Sequence, residues 1–172
     1  MLNILYRLEF EKHSFFPDNA HHIDTLANLL YPWTQKIAPS LRALQSRKEG
    51  KGIVILSGLF HFESCLNLLV TLKNLNSTLP IQIAHNGDKD LPQVMQKVLK
   101  SLGGVEMLDL SKIFDGEGDL ANVKGWSLKP FAMLASRFKE AMFLDADAVP
   151  LRNPRSLFQN QIYMKYGTLY FK

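Results

Sequence analysis

From Ile53 onward the apolar positions fall into two alternating rhythms. Ile53-Val54-Ile55-Leu56 is a short, β-branched, uncharged run that stops at Ser57-Gly58, which predicts a strand buried on both faces. Between Phe60 and Leu75 the residues Cys65, Leu66, Leu68, Leu69, Leu72 and Leu75 recur at helical spacing, and the stretch from Asn74 to Ser77 closes that helix before Pro80. Ile81-Gln82-Ile83-Ala84 predicts a second strand, ending at His85-Asn86-Gly87-Asp88. Pro92 stands near the start of a second helix, with Val94, Met95, Val98, Leu99 and Leu102 on one stripe and Gly103-Gly104 as its stop. Val105 to Leu110 predicts a third strand. The order strand, helix, strand, helix, strand is the signature of an α/β fold with a parallel sheet and right-handed crossovers. After it the rhythm lapses: Ser111 to Gly125, with Asp115, Gly116, Glu117, Gly118 and Asp119, reads as a polar loop across the mouth of the sheet. Trp126-Ser127-Leu128-Lys129-Pro130 then opens a helix from Phe131 to Phe138, which feeds a fourth apolar strand, Ala141-Met142-Phe143-Leu144.

The first 49 residues differ from the rest and read as a helical lead-in. Asp18 or Asn19 can cap a helix carrying Ile23, Leu26, Ala27, Leu29 and Leu30, while Pro32 and Pro39 divide the stretch. His13, His21 and His22 suggest a metal only superficially, because the adjacent His21 and His22 point apart on a helix. Trp33 is expected to anchor packing. Residues 50–172 then form one domain, since 172 residues at 47% hydrophobic suffice for a single sizeable core. The net charge of +4 favours an anionic ligand. Lys and Arg are scattered and form no stripe, so nucleic acid is not expected as a partner. Cys65, the only cysteine, lies within an apolar helical pattern, so no internal disulfide is possible and core filling is its expected role. Arg7 and Glu9 interrupt the apolar start, so this chain is expected to carry no membrane anchor.

The chemistry gathers after the fourth strand, where Asp145-Ala146-Asp147 precedes Pro150 and Pro154. Residues two apart on an extended chain point the same way, so both carboxylates can address one point. That suits Mg2+ or Mn2+, which takes one or two protein carboxylates and completes its octahedron with phosphate oxygens and water. The plain alternative is a strand-end turn whose acids cap backbone N–H groups. Ser57-Gly58, His85 to Asp88, Asp109 and the Asp145/Asp147 pair all fall at carboxyl ends of strands, the edge where open α/β sheets bind ligands, and that convergence favours the metal-diphosphate reading. Two enzyme classes place Asp-x-Asp after an apolar strand. In a haloacid-dehalogenase-type phosphatase the pair ends the first strand; in a GT-A nucleotide-sugar glycosyltransferase three or four βα units come before it, as they do here.

Lys51-Gly52-Ile53-Val54-Ile55, His85-Asn86-Gly87-Asp88-Lys89-Asp90-Leu91, Gly125-Trp126-Ser127-Leu128-Lys129-Pro130-Phe131-Ala132, and Phe143 through Asp147 to Asn153-Pro154 together resemble the fungal Mnn1-like α-1,3-mannosyltransferase family. The resemblance covers roughly Lys51 to Phe171. It implies a GT-A fold, a mainly parallel sheet with flanking helices, incomplete at the C-terminus. It further implies GDP-mannose as donor, Mn2+ (or Mg2+), retention of configuration, a mannosylated glycoprotein acceptor and a type II membrane protein of the Golgi lumen. Members continue past the position of Lys172 and carry an N-terminal anchor, so the chain is expected to be a donor-binding half whose acceptor-side catalytic residues are absent. By the resemblance, Asp147 coordinates the metal, Asp145 contacts ribose or a metal-bound water, Lys129 meets donor phosphate or a sheet-end carboxylate, and Ser57 and Gly58 let the nucleotide approach the first strand. His85 is the remaining donor-site candidate, with a loop hydrogen bond as its plainer role, and Trp126 is expected in the core or walling the pocket. Two other readings stand beside this: the phosphatase using Asp145 and Asp147, and a non-catalytic partner of a complete mannosyltransferase, exposing an aromatic sheet edge from Tyr163 to Phe171.

One arrangement follows for the fold. The first and fourth strands should be parallel neighbours, because a doubly wound sheet that has run outward returns beside its first strand. Ser57, Gly58, His85, Asp145 and Asp147 should then line one cleft, with Lys129 at its rim. A first strand at a sheet edge away from the fourth, or Asp145 and Asp147 on the face opposite Ser57, would defeat the GT-A reading whatever the motif resemblance.

Overall fold

A computed structural model describes Ser46 and residues 48–114 and 123–169. The chain forms β1 (Lys51–Leu56), a 3-10 turn (Leu59–His61), α1 (Phe62–Asn74), β2 (Ile81–His85), α2 (Gln93–Ser101), β3 (Val105–Asp109) and the one-turn α3 (Leu110–Ile113). A second 3-10 turn (Gly125–Leu128) leads into α4 (Lys129–Ala135), β4 (Glu140–Asp145), a third 3-10 turn (Pro154–Gln159) and α5 (Gln161–Tyr166). The lead-in helix with its histidines and Trp33, the middle of the polar loop and the last three residues lie outside the described residues.

The four strands form one parallel sheet in the order β3-β2-β1-β4, with helices packed on it, a GT-A-like, Rossmann-type arrangement. β4 does return beside β1, pairing Lys51 with Glu140 and Leu56 with Asp145. Successive side chains alternate between the faces, and the core splits accordingly. Ile53, Ile55, Ile81 and Ile83 pack with Cys65, Leu68, Leu69 and Leu72 of α1 and Leu99 of α2. Val54, Ala84 and Leu108 pack on the other face with Leu128, Ala132, Ala135 and Phe138. Burying such a leucine is worth about 1.5–3 kcal/mol, which is why the helical stripe of α1 decides its orientation.

Three elements depart from expectation. The third strand stops one residue early because Asp109 caps α3, accepting from Ser111 N at 3.1 Å and from Ser111 Oγ at 2.6 Å. The helix expected to reach Phe138 ends at Ala135; Ser136 is extended (φ −61°, ψ 147°), which turns Phe138 into the core. Phe138 lies over Gly52, where a Cβ would fall 2.3 Å from its ring, so β1 needs a glycine there. Finally, Gln161–Tyr166 is helix rather than an aromatic strand edge. Asn160 caps it by accepting from Ile162 N at 2.8 Å, and Gly167 at φ 70° ends it in the left-handed conformation. Tyr163 packs edge-on against Phe158 at 5.6 Å and donates to Glu140 Oε2 at 2.7 Å, clipping α5 to the start of β4. Among the described residues no helix is long and apolar enough to cross a membrane.

Candidate functional site

The register brings Ser57 and Ala146 out side by side at the carboxyl end of the sheet, each one residue beyond the Leu56–Asp145 pair. β4 does not stay extended through both acids. Ala148 N donates to Asp145 O at 2.9 Å, so Asp145 to Ala148 is a tight turn. Ala146 is buried in the layer beneath α1, and Asp145 and Asp147 stand exposed on either side of it. The acids therefore flank a buried alanine because the chain turns, not because of strand alternation.

Lys129, the first residue of α4, forms an ion pair with Asp145 Oδ1. Its ammonium also lies 5.7 Å from the centroid of the Trp126 ring and 5.5 Å from that of Phe143. Trp126 is not core: 80% of it is exposed, on the turn just before α4. An ion pair this open is worth about 0–1 kcal/mol, so Lys129 is a counter-charge for Asp145 rather than a structural tie.

Ser57 and His85 do not face an open cleft, each being only 1% exposed, and His85 takes its plainer role as a loop hydrogen-bonder. Ser57 is in phase with Ile55 and lies beneath α1 beside the Cys65 thiol, which burial pushes up to about 11 against the opposing effect of Ser57. His85 is in phase with Ile83. Its Nδ1 lies 3.3 Å from Gly87 O, and since a carbonyl only accepts, Nδ1 carries the proton and the buried Nε2 is left without a partner among the described residues. Asp145 is in phase with Leu56 and Phe143, on the face of α4. The five residues thus do not line one cleft, and Asp145 is across the sheet from Ser57. Phase is too strict a test of the fold, because a ligand at a sheet's carboxyl end meets chain ends and loops from both faces. The parallel return of β4 beside β1 stands independently of it.

Gly58 also has another reason than ligand approach. A Cβ there would meet Asp90 Oδ1 at 2.4 Å. Asp90 stands in the His85-to-Leu91 motif without a role read for it. Its carboxylate accepts from Asn86 N at 2.9 Å and its carbonyl from Leu59 N at 2.7 Å, so it braces the loops leaving β1 and β2. Its signals are its place in that motif and an acid shortly after a Gly-containing turn. Asn153 was quoted without a role; its Nδ2 donates to Leu75 O at 3.2 Å and Asn76 O at 3.0 Å, satisfying the carbonyl end of α1. Asp109 is drawn upward by burial, but hydrogen bonds from Ser111 and the nearby His85 and Lys112 outweigh it and hold the carboxyl below its ordinary range.

Among the described residues no cluster of three or more His, Cys, Asp or Glu side chains could enclose a cation. Two exposed carboxylates on one turn, both hard oxygen donors, fit a Mg2+ or Mn2+ ion that draws its other ligands from phosphate and water.

A family model described as "Mannosyltransferase putative" matches residues 50–172. "Putative alpha-1,3-mannosyltransferase MNN14" of Candida albicans is 26% identical over 170 residues, covering 83% of this chain and 25% of the relative. "Alpha-1,2-mannosyltransferase MNN24" of the same organism is 29% identical over 141 residues, 81% of this chain and 19% of that protein. "Alpha-1,3-mannosyltransferase MNT2" of Saccharomyces cerevisiae is 27% identical over 175 residues, 96% of this chain and 30% of that protein. The chain spans about a quarter of the length of these curated relatives. With the family match running from the residue before β1 to the last residue, the chain belongs to the mannosyltransferase family so described.

Proposed function

We propose that this chain is the nucleotide-sugar-binding part of a mannosyltransferase that moves mannose from GDP-mannose to a mannosylated glycan acceptor in protein glycosylation. The observation that carries the reading is the Asp145–Ala148 turn at the carboxyl end of β4, with two exposed carboxylates, Lys129 on one of them and β1 alongside. Asp147 and Asp145 would hold Mn2+ or Mg2+ against the diphosphate, Asp147 as the freer of the two. The ion, when bound, supplies positive charge that stabilises the departing nucleoside diphosphate. Lys129 sits where its ammonium can turn from Asp145 to a phosphate oxygen, exchanging one anion for another at little cost. In this reading the backbone around Ser57 and the loops braced by Asp90 would form the floor for a nucleotide. The named relatives include both α-1,3- and α-1,2-mannosyltransferases, so the proposal concerns the donor and leaves linkage to the acceptor side. The family relationship supports a glycosylation compartment as the setting, and the proposal takes this to be the Golgi.

The test is calorimetric. GDP and GDP-mannose should bind with an affinity that requires Mn2+ and is lost in Asp147→Asn. Equal binding with and without the metal would refute the assignment, and covalent labelling of Asp145 by a phosphate ester would favour the phosphatase instead.

A further inference from the structure

Trp126 keeps 80% of its surface in water. Lys129 Nζ lies 5.7 Å from its ring centroid, a cation–π contact, and the same ammonium touches Asp145. Indole, ammonium and carboxylate therefore form a short row beside the end of β4, with most of the indole in water.

Each member of that row has a counterpart in a sugar nucleotide. The carboxylates suit a cation on the diphosphate, the ammonium suits a phosphate oxygen, and a flat apolar surface suits a ring. Two rings are on offer, the nucleobase and the hexose. The hexose is bonded directly to a phosphate of the diphosphate, whereas the base is separated from it by the ribose. Trp126 contacts the lysine that contacts Asp145, so it is placed for the ring nearest the phosphates. A pyranose also suits an open platform: its C–H bonds gather on one face and pack on indole, while its hydroxyls stay in water.

We infer that Trp126 is the stacking platform for a hexose ring at the transfer site, held in position by Lys129. This rests on the donor-site reading above. The ring can come from the sugar nucleotide or from a mannoside acceptor, and the experiment separates the two. The 172-residue chain with Mn2+ is titrated with GDP, GDP-mannose and methyl α-mannoside, as wild type, Trp126→Ala and Trp126→Phe. Expected is an unchanged affinity for GDP, a roughly tenfold loss for GDP-mannose in Trp126→Ala, or about 1.4 kcal/mol, and recovery of most of it in Trp126→Phe. The same loss confined to methyl α-mannoside also supports the platform and assigns the ring to the acceptor. Equal losses for GDP and GDP-mannose would put the base on the indole and overturn the inference, as would unchanged affinity for all three ligands. If wild type does not bind GDP at all, the donor-site reading falls first and this inference with it.

Discussion

Replacing Gly58 by alanine tests whether the two loops at the carboxyl edge are one mechanical unit. Gly58 has φ −130° and ψ −169°, extended backbone open to any residue, so the substitution carries no conformational penalty of its own. The penalty is steric: the new Cβ would lie 2.4 Å from Asp90 Oδ1. That carboxylate can swing away only by releasing Asn86 N–H, held at 2.9 Å, and the Asp90 backbone is itself fixed by Leu59 N at 2.7 Å. Losing a hydrogen bond to a charged acceptor costs about 1.5–3 kcal/mol, and overpacking by a methyl about 1–3 kcal/mol. The swing relieves the clash, so the two do not add in full, and Gly58→Ala should cost about 2–3 kcal/mol. For a protein of this size that lowers Tm by roughly 5–10 °C. Thermal and urea unfolding of wild type, Gly58→Ala, Asp90→Ala and the double variant close a cycle. Because the clash requires Asp90, alanine at position 58 should cost less than about 0.5 kcal/mol once Asp90 is alanine. An equal cost in both backgrounds, or none in either, refutes the brace.

Two further expectations follow from perturbed groups. The Cys65 thiol, pushed up to about 11 by burial, should not react with a disulfide reagent at pH 8 until urea unfolds the chain, and rapid native labelling would contradict its place beneath α1. At the other end of the sheet, the Lys51 and Tyr163 hydrogen bonds hold Glu140 below its ordinary range, so its stabilisation is present above that range and is lost as pH falls through the folded value. Burial and Glu140 push Tyr163 up to about 12, so its contribution is present below pH 10 and lost as pH rises from there toward 12. Urea midpoints across pH should show a flattened acid limb in Glu140→Gln and a flattened alkaline limb in Tyr163→Phe; unchanged limbs would mean that α5 is not clipped to β4 through this pair.

The strands and crossover helices were legible because uncharged apolar runs and helical stripes are long-range facts of the sequence that tertiary packing reinforces. The neighbourhood of β1 and β4 was legible for the same reason, since topology rules leave little choice once three βα units lead into a fourth strand. What the sequence hid was local. Nothing in Lys129 to Phe138 marks the point where Ser136 leaves the helix, because the reason is Phe138 seeking the core above Gly52. The stretch from Tyr163 to Phe171 has aromatic strand composition, yet its start through Tyr166 is helix, capped by Asn160 and Gly167. Trp126 is expected in the core or walling the pocket, and it is exposed three residues before Lys129, whose partner Asp145 is remote in sequence and adjacent in space.

The phase difference between Ser57 and Asp145 divides the work of the sheet. On the α1 face the edge residues are sealed in: Ser57 and His85 are buried, and just beyond that edge Asp90 ties the two loops together. On the α4 face Asp145 and Lys129 meet in an open pair with Trp126 beside them, and Asp147 follows on the exposed turn. A buried polar group that loses its surroundings costs about 1–3 kcal/mol, whereas an exposed ion pair is worth less than about 1 kcal/mol. Substitutions on the first face should therefore act through stability, and those on the second through ligand affinity at nearly constant stability. A sheet edge can hold this division because alternate residues of one strand point into different layers. Ser57, one residue beyond β1, belongs to the fixed floor, and Asp145, the last residue of β4 and one position out of step with Ser57, stands on the exposed side where the proposed sugar nucleotide would meet the chain.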